Sequence, residues 1–346
     1  MLPKRYCSPG EKRKTIDADE DRVAPPIPTV AEVGEFGVIE RATKGRTQSE
    51  HTLLGPGDDA ALVAAPDGRV VATTDMLVHG RHFRFDWSDP VDVGRKAIAQ
   101  NGADVAAMGA RCTGFLVALA CPSDTPVDVT DGIFDGLSRE AALAGASVVG
   151  GDLVSSDVLV ISITALGDLE GRDPVLRSGA RPGDVVAVAG RLGWSAGGFA
   201  VLDAGVPGHR NLTAAHRVPR PQYNRGAEAA IAGATSLTDV SDGLLADLGH
   251  IAEASSVAID LDSDAFVVGA ELRSAADQLG VSALSWILAG GEDHAFAATY
   301  ATEDDVPDDW VVVGRVTGPA SEENAPTVTV DGASHIGATG WSSFQD

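Results

Sequence analysis

The stretch Leu237-Thr238-Asp239-Val240-Ser241-Asp242-Gly243-Leu244-Leu245 passes from a strand pattern into a helix pattern through a short acidic turn. Residues 237–240 are typical of a buried strand, and residues 244–253 have the spacing of a helix. Ser241 could be the helix N-cap and Asp242 a first-turn acid favoured by the helix dipole. Capping leaves Asp239, at the strand end, without a role. The alternative is that these carboxylates bind a cation, and both explanations stay open.

Other acidic residues follow similar short motifs of glycine or threonine. These motifs are Gly55-Pro56-Gly57-Asp58-Asp59, Thr73-Thr74-Asp75, Gly150-Gly151-Asp152 and Gly290-Gly291-Glu292. We interpret all of them as turn-like breaks between apolar runs. Mg²⁺ prefers carboxylates fixed in near-octahedral geometry beside substrate phosphates. Any one motif is equally typical of a surface turn, but the set favours a multi-carboxylate site for a nucleotide and its magnesium ions.

A predicted helix over residues 93–108 carries an acid on an apolar face. Ala97, Asn101, Asp104 and Met108 are spaced by 4, 3 and 4 residues, so they share that face. A carboxylate there is either buried with a partner, lines a cleft with a cation, or lies at the edge of the face and reaches water.

Composition restricts the partners. The chain has 346 residues and a formal net charge of −24, which argues against nucleic acid, because phosphate backbones require basic patches. An acidic site can hold a polyphosphate only with divalent cations between the two sets of anions. No apolar run is long enough for a membrane span. The N-terminus lacks the apolar core of a signal peptide, and the three cysteines have no metal-ligand spacing, so we expect a cytoplasmic, reduced protein with Cys112 and Cys121 as inert core thiols.

Alternating helix and strand patterns predict two α/β or α+β domains. Residues 1–30 are polar and rich in proline, and we expect a disordered N-terminal extension there. Turn chemistry near 167–185 places a domain boundary at about residue 170, giving domains 31–170 and 171–346. The predicted helices include 131–144, 244–253 and 269–278; the predicted strands are 70–74, 113–120, 147–149, 158–166, 185–189, 237–240, 258–261, 295–300 and 311–316.

Common nucleotide-binding motifs are absent from the sequence. No Gly-x-x-x-x-Gly-Lys-[Ser/Thr] loop, no Gly-x-Gly-x-x-Gly at a helix start and no kinase His-Arg-Asp set occurs. The P-loop route to ATP is therefore excluded.

Seven segments together resemble the thiamine-monophosphate kinase family, which belongs to the aminoimidazole-ribonucleotide-synthetase-like ATP-binding superfamily. They occur in the family's order at residues 55–61, 73–83, 101–110, 150–152, 177–184, 239–250 and 290–293. The resemblance covers about residues 31–346. It implies an N-terminal α+β domain whose mixed sheet forms a barrel with its twin in a homodimer, and a C-terminal α/β domain. The implied reaction transfers the γ-phosphoryl group of ATP to thiamine monophosphate, giving thiamine diphosphate.

The resemblance also implies roles for individual residues. Ligands of several Mg²⁺ ions would be Asp59, Thr73, Thr74, Asp75, Asp104, Asp152, Asp239 and Asp242. ATP contacts would be Phe134, Gly151, Asp152, Arg177 and Ser241, with Phe134 standing where the family often has a tyrosine. Contacts to thiamine monophosphate would be His82, Glu292 and Trp341.

No general base is assigned, because a phosphate acceptor is already nucleophilic and positioning with charge neutralisation supplies the catalysis. The alternatives are another member of the superfamily (a selenophosphate synthetase, a hydrogenase-maturation dehydratase or the purine enzyme) and a non-catalytic protein that binds Mg-ATP. The first two would be marked by a reactive N-terminal Cys followed by Lys and by a C-terminal Cys, and this sequence has neither signature.

Overall fold

Two large sheets and one two-stranded sheet, β1-β2, organise the chain in the computed structural model. The structure describes residues 27–56, 60–320, 327–335, 337, 339 and 340. The helices are α1 Val30–Val33, α2 Glu35–Thr43, α3 Pro90–Ala107, α4 Val127–Leu143, α5 Trp194–Asp203, α6 Arg210–Arg217, α7 Asn224–Ile231, α8 Leu244–Ser255, α9 Ala270–Leu279 and α10 Ala283–Ala289. The strands are β1 Thr52–Leu54, β2 Leu62–Val63, β3 Val71–Val78, β4 Arg111–Cys121, β5 Val148–Ser155, β6 Val160–Asp168, β7 Val185–Ala189, β8 Ser236–Val240, β9 Val257–Leu261, β10 Ala295–Tyr300, β11 Val311–Pro319, β12 Thr327–Val330 and β13 Ala333–Ser334.

The first sheet has four strands in the order β3-β6-β4-β5. It is mixed, because β4 and β5 run parallel while β6 is antiparallel to both of its neighbours. One face is covered by α3 and α4, and there Phe115, Ile161 and Ile163 pack with the helices in a dry core. On the opposite face Met76, Leu116 and Val154 remain 55%, 38% and 51% exposed.

The second sheet has seven strands in the order β13-β12-β9-β11-β7-β10-β8, and only the β9–β12 pair is parallel. Alternate residues of its strands face opposite sides, as in any pleated sheet. On one side Val186 and Ile259 pack against α8. On the other side Phe296 and Val185 pack against α7 and against Ala103 and Ala106 of α3, both of which are buried.

Helix α3 therefore belongs to both cores. Ile98 and Val105 pack into the core of the four-stranded sheet, whereas Ala103, Ala106 and Ala107 pack against the seven-stranded sheet. The small alanines allow this second sheet to approach closely. The side chains of α3 are consequently held where the cores of the two large sheets meet.

Sequence patterns predicted most of the helices and strands, but they missed some helices and placed some residues at turns incorrectly. The predicted strands 185–189 and 295–300 are confirmed with identical bounds, and the helix predicted over 93–108 runs from Pro90 to Ala107. Helices α6, α7 and α10 were missed, because they are short and lie in segments rich in turn residues. The interpretation of Asp75 and Asp152 as acids at turns is wrong, since they lie inside β3 and β5.

The expected disordered extension falls mostly on residues outside those the structure describes. Its last residues are ordered, however. Thr29 forms a capping box with Glu32 at the start of α1, and the Val127 N–H donates to the Pro28 carbonyl at 2.9 Å. No described helix combines the length and the apolar character needed to cross a membrane. Cys112 and Cys121 are buried free thiols, and burial raises the pKa of Cys112 to about 12, so the expectation of unreactive core thiols is confirmed for these two.

Two glycines set the spacing between α3 and α4. A Cβ on Gly94 would lie 2.0 Å from the Ile133 carbonyl oxygen, and a Cβ on Gly136 would lie 2.0 Å from the Val91 carbonyl oxygen. Because both obstacles are backbone atoms, neither can rotate away. The two helices can pack at this distance only with glycine at both positions.

Replacing Gly136 by alanine should therefore lower the free energy of unfolding by about 1–3 kcal/mol, the usual cost of overpacking a core. The matched control is Gly249→Ala within α8, where nothing lies within 4 Å of an added Cβ. That control should be neutral or stabilising, since alanine is the better helix former. Chemical denaturation of both variants measures the difference, and equal stability of the two would contradict the packing account.

Candidate active site

Carboxylates from three distant parts of the sequence meet beside α3. The Thr73 hydroxyl of β3 donates to Asp104 Oδ2 at 3.0 Å, and the Asp75 backbone N–H donates to Asn101 Oδ1 at 2.8 Å. The predicted helix face that carries Asn101 and Asp104 thus lies against β3. Asp239 approaches the same point from the end of β8, and its charge acts on Asp104.

The environment of Asp104 decides between the three explanations of its position. Burial, reinforced by the negative charges of Asp239 and Asp75, raises the pKa of Asp104 to about 7. Asp104 is half-buried, accepts the Thr73 hydroxyl and lies near two other carboxylates, which favours a cleft over a solvated edge. Three carboxylates with little positive charge among them are the donors that a cation with oxygen ligands prefers, although among the described residues the group whose ligand atoms lie within 4.8 Å of one another is Asp242, Asp247 and His250.

Asp239 pairs with a histidine among the described residues. His294 Nδ1 lies 3.0 Å from Asp239 Oδ2, and the two residues are 5% and 3% exposed. Burial alone would lower the pKa of His294, but the hydrogen bond and charge of Asp239 raise it above the ordinary value. The imidazole therefore stabilises the Asp239 carboxylate and fixes its orientation. The sequence offered one signal for His294, its position two residues after Glu292.

The Gly290-Gly291 pair serves the packing of the chain on itself. A Cβ on Gly291 would lie 2.7 Å from the Ser241 carbonyl oxygen, and one on Gly290 would lie 2.3 Å from that of Trp286. The Glu292 N–H donates to the same Ser241 oxygen at 2.7 Å, and Glu292 has a φ of 64°. This left-handed turn brings the segment that carries Glu292 against the turn that carries Asp242.

The turn after β8 carries a second acidic group. Asp242, Asp247 and His250 place one ligand atom each within 4.8 Å of one another. Asp247 Oδ2 accepts the backbone N–H groups of Asp242 and Gly243 at 3.0 Å each. Burial and the nearby Asp239 charge raise the pKa of Asp247 to about 7. Sequence reasoning missed Asp247 and His250, although their spacing of three residues places them on one face of the predicted helix.

The capping explanation for this turn is wrong. Helix α8 begins at Leu244, and its N-cap is Gly243 with a φ of 130°. Ser241 therefore lies two residues before the cap, and Asp242 is outside the first turn. The Asp247 carboxylate accepts the backbone N–H groups of Asp242 and Gly243 at this turn. The acids at 239 and 242 are thus not explained by capping.

The three predicted substrate contacts divide between described and undescribed residues. Glu292 Oε1 lies 2.9 Å from Lys96 Nζ of α3, and Glu292 Oε2 lies 3.5 Å from His216 Nδ1. His82 is on the other side of Lys96, whose ammonium donates to the His82 carbonyl at 3.0 Å. Trp341, like Asp59 among the predicted metal ligands, lies outside the described residues.

Lys96 is the main positive charge that acts on Glu292. Burial alone would raise the pKa of Glu292, but Lys96 and His216 outweigh it and lower the pKa to about 2. Burial and the Lys96 charge lower the pKa of His216 to about 4, so this imidazole is neutral at pH 7. The ionic partner of Glu292 is consequently Lys96. Sequence reasoning missed Lys96; its one signal was a basic residue directly before the apolar pair Ala97-Ile98 of α3.

The structure places another group of predicted residues elsewhere. Met76, Ser162, Ala118 and Asp152 form one row across the open face of the four-stranded sheet. Asp75, one residue along β3, points to the opposite face. Because β3 and β5 are the two edge strands, Asp152 and Asp75 are also separated by three strand spacings, about 14 Å. Within a single subunit, Asp152 therefore does not reach the Asp75–Asp104–Asp239 cluster.

Three further residues that were predicted to contact ligands have structural roles within the chain. A Cβ on Gly151 would lie 2.2 Å from the Val117 carbonyl oxygen, so pairing of β4 with β5 accounts for this glycine. Phe134 on α4 is partly buried against the core of the four-stranded sheet. The Thr74 hydroxyl donates to the Ile163 carbonyl within the sheet at 2.8 Å.

Arg177, a predicted ATP contact, lies near the acidic turn after β8. Its backbone carbonyl accepts the Ser255 hydroxyl at 3.0 Å. Its positive charge acts on Asp242, whose pKa is nevertheless raised because of burial. Arg177 is thus on the same side as the acidic turn after β8.

Fold and site together define a two-domain protein of the AIR synthase related class. The family described as AIR synthase related protein matches twice, its N-terminal domain at residues 57–169 and its C-terminal domain at residues 181–324.

Comparison with individual relatives identifies the family within this class. Thiamine-monophosphate kinase from Mycobacterium tuberculosis is 53% identical, covering 92% of this chain and 93% of the relative, and the one from Corynebacterium glutamicum is 44% identical over 92% and 95%. The solved structure of AaThiL complexed with AMPPCP and TMP superposes with a TM-score of 0.74 at 30% identity, covering 90% of this chain and 98% of that one. The chain belongs to the thiamine-monophosphate kinase family.

The raised pKa of Asp104 makes the stability of the metal-free protein depend on pH. An acid whose folded pKa exceeds its unfolded value binds more protons when folded, so stability falls as pH rises from about 4 to about 7, by up to about 1.4 kcal/mol per pH unit for one group. Asp104→Asn should weaken this dependence and should unfold at a higher temperature than wild type at pH 8 in the presence of EDTA. Thermal melts from pH 5 to pH 8 measure both.

The matched control is Asp173→Asn, because the Asp173 side chain is fully exposed. It should follow the wild-type pH dependence. An Asp104→Asn protein that melts below wild type at pH 8 would show that the carboxylate is stabilising and that its electrostatic environment is wrongly described.

Proposed function

We propose that this chain transfers the γ-phosphoryl group of ATP to thiamine monophosphate and forms thiamine diphosphate. The observation that carries the proposal is the cluster of Asp75, Asp104 and Asp239, which the two sheets assemble around α3 with Glu292 on the adjacent turn. A site that must hold two phosphate-bearing anions in a chain of net charge −24 requires cations between them. Family membership supports the reaction and its two substrates.

Magnesium is the cation that this donor set fits. Asp75, Asp104 and Asp239 would hold it on one side, and Asp242 on the turn after β8 would hold a further ion; Asp59 is proposed as another ligand, together with the Thr73 and Thr74 positions. The high pKa of Asp104 is the observation that supports this fit, because a carboxyl group left uncompensated by protein charges gains most from a metal. When bound, Mg²⁺ supplies charge neutralisation and alignment of the phosphates.

The residues of the chain then need only to bind and orient. The acceptor phosphate is itself the nucleophile, so no proton has to be removed by a protein group. Glu292 remains ionised at neutral pH and is suited to face the cationic part of thiamine, with His82 beside it. Trp341 is proposed as an aromatic face for the same group. Arg177 and Ser241 are proposed contacts of ATP on the acidic-turn side.

A homodimer would use the open face of the four-stranded sheet. Met76, Leu116 and Val154 expose apolar surface on that face, with the small residues Ala118 and Gly150 between them. Contiguous apolar surface of this kind marks an interface. We take the occupant to be a second copy of the chain, which would pair the two sheets into a barrel as the family resemblance implies.

Dimerisation would also explain why Asp152 lies far from the other predicted metal ligands of its own subunit. Phe134, Gly151 and Asp152 all lie toward edge strand β5, whereas the carboxylate cluster lies beside edge strand β3. A two-fold axis through the open faces would bring β5 of one subunit toward β3 of the other. We therefore propose that these three residues complete the nucleotide site of the partner subunit.

Two smaller assignments accompany the proposal. The chain is divided into an N-terminal domain ending near residue 170 and a C-terminal domain from residue 171, a boundary that falls between β6 and β7. The working compartment is proposed to be the cytoplasm, in keeping with Cys112 and Cys121 as free thiols.

Purified protein given Mg-ATP and thiamine monophosphate should form thiamine diphosphate and ADP in equal amounts, and Asp75→Asn should lower kcat by orders of magnitude because it disturbs the cation site. Product is measured by chromatography with and without the acceptor. ATP binding without any thiamine diphosphate would favour a non-catalytic nucleotide-binding protein, and ATP use with a different acceptor would favour another reaction of the superfamily.

Subunit mixing tests the shared site. Asp75→Asn and Asp152→Asn proteins should each be inactive alone but should regain activity when unfolded and refolded together. A statistical mixture contains half heterodimers with one intact site each, so about a quarter of wild-type activity is expected. Met76→Asp on the open face should give a monomer by light scattering and should abolish the recovery. Mixtures that stay inactive while forming dimers would place all ligands of a site in one chain.

A further inference from the structure

Lys96 is the least exposed ammonium group in the described part of the chain, at 2%. A lysine is almost never fully buried unless it is paired. It lies on α3, the helix that belongs to both cores, and it has two partners on different parts of the molecule. It is not among the residues that the proposed reaction requires as metal, nucleotide or substrate contacts.

The two partners are the described residues proposed to bind thiamine monophosphate. Lys96 Nζ donates to the His82 carbonyl at 3.0 Å and lies 2.9 Å from Glu292 Oε1. The His82 segment follows β3 of the four-stranded sheet, and Glu292 precedes β10 of the seven-stranded sheet. A single buried cation thus joins a loop from one domain to a carboxylate from the other.

The two carboxylate oxygens of Glu292 have different partners. Its other oxygen faces His216, 3.5 Å away, and His216 is held in turn by the Ser195 hydroxyl at 3.1 Å from Nδ1. His216 is neutral at pH 7, so among the described residues Lys96 is the full charge in direct contact with Glu292, while the charge of His294 acts on it from farther away. The carboxylate is still 32% exposed, so it can meet a ligand while one oxygen is bound to Lys96.

We propose that Lys96 is a positioning residue for the acceptor half of the site, setting Glu292 and the His82 loop at the distance that thiamine monophosphate requires. This role rests on the proposed function. It predicts that loss of the ammonium weakens the acceptor and spares the nucleotide, because the carboxylate cluster is held by Thr73, Asn101 and His294 and not by Lys96.

The adjacent residue provides a matched control. Arg95 also makes a buried ion pair from α3, at 2.8 Å from Glu140, which is 3% exposed on its side chain. Both residues of that pair belong to the N-terminal domain, and Glu140 also accepts the Tyr223 hydroxyl at 2.9 Å. Arg95→Met removes a buried ion pair of comparable geometry without touching His82 or Glu292.

The test compares Lys96→Met, Arg95→Met and wild type. Lys96→Met should raise KM for thiamine monophosphate at least tenfold while the Kd of a non-hydrolysable Mg-ATP analogue, measured by calorimetry, changes less than threefold. Arg95→Met should melt at a lower temperature but should keep KM for thiamine monophosphate within twofold. A Lys96→Met enzyme with normal KM, or with both affinities lowered equally, would overturn the positioning role.

A double variant covers the case in which Lys96→Met does not fold. Glu292→Gln removes the charge that Lys96 balances, so Lys96→Met/Glu292→Gln leaves no unpaired carboxylate. Because part of the effect of Lys96 passes through Glu292, adding Lys96→Met should raise KM by a smaller factor in the Glu292→Gln background than in wild type; an equal factor in both backgrounds would refute the role through Glu292. Wild-type protein that neither phosphorylates nor binds thiamine monophosphate would instead refute the proposed function, and the positioning role with it.

Discussion

The packing of α3 between the two sheets is the constraint on which the rest of the structure depends. One side of the helix supplies Ile98 and Val105 to the core of the four-stranded sheet, and another supplies Ala103 and Ala106 to the seven-stranded sheet. Glycine contacts fix its distance from α4. A helix held on all sides cannot adjust to mutation or ligand, so the polar groups that it carries have fixed positions at the junction.

Among those polar groups, the buried carboxylate of Asp104 works against stability. Asp104 is kept near Asp75 and Asp239 although burial and like charge raise its pKa to about 7. The packing energy of two cores maintains this repulsion, which a bound cation would relieve. His294 offsets only part of the charge, through Asp239. The three carboxylates are thus brought together at the place where both cores pack against one helix.

Neighbouring basic residues on α3 divide the remaining electrostatic roles. Arg95 pairs with Glu140 inside the first domain, while Lys96 reaches Glu292 in the second. The helix turns by about 100° between consecutive residues, so adjacent side chains serve different domains. The same geometry explains why a lysine in an apolar helix pattern gave so little signal: its partner is 196 residues away in sequence and enters only when the two domains close on α3.

Local sequence determined much of this protein. Periodicity of apolar residues located β7, β10 and most of α3, since such patterns depend on neighbours only, and the acids at 75, 104, 239 and 242 were singled out by residue type and context alone. What tertiary structure decided was which acids meet. Asp75 and Asp152 look alike in sequence, as acids after paired small residues, yet they lie on opposite faces and opposite edges of one sheet. Strand order and the side of the pleat are set by long-range pairing, which no local pattern contains. For the same physical reason the Lys96–Glu292 pair and the Asp239–His294 pair were visible only in the folded chain.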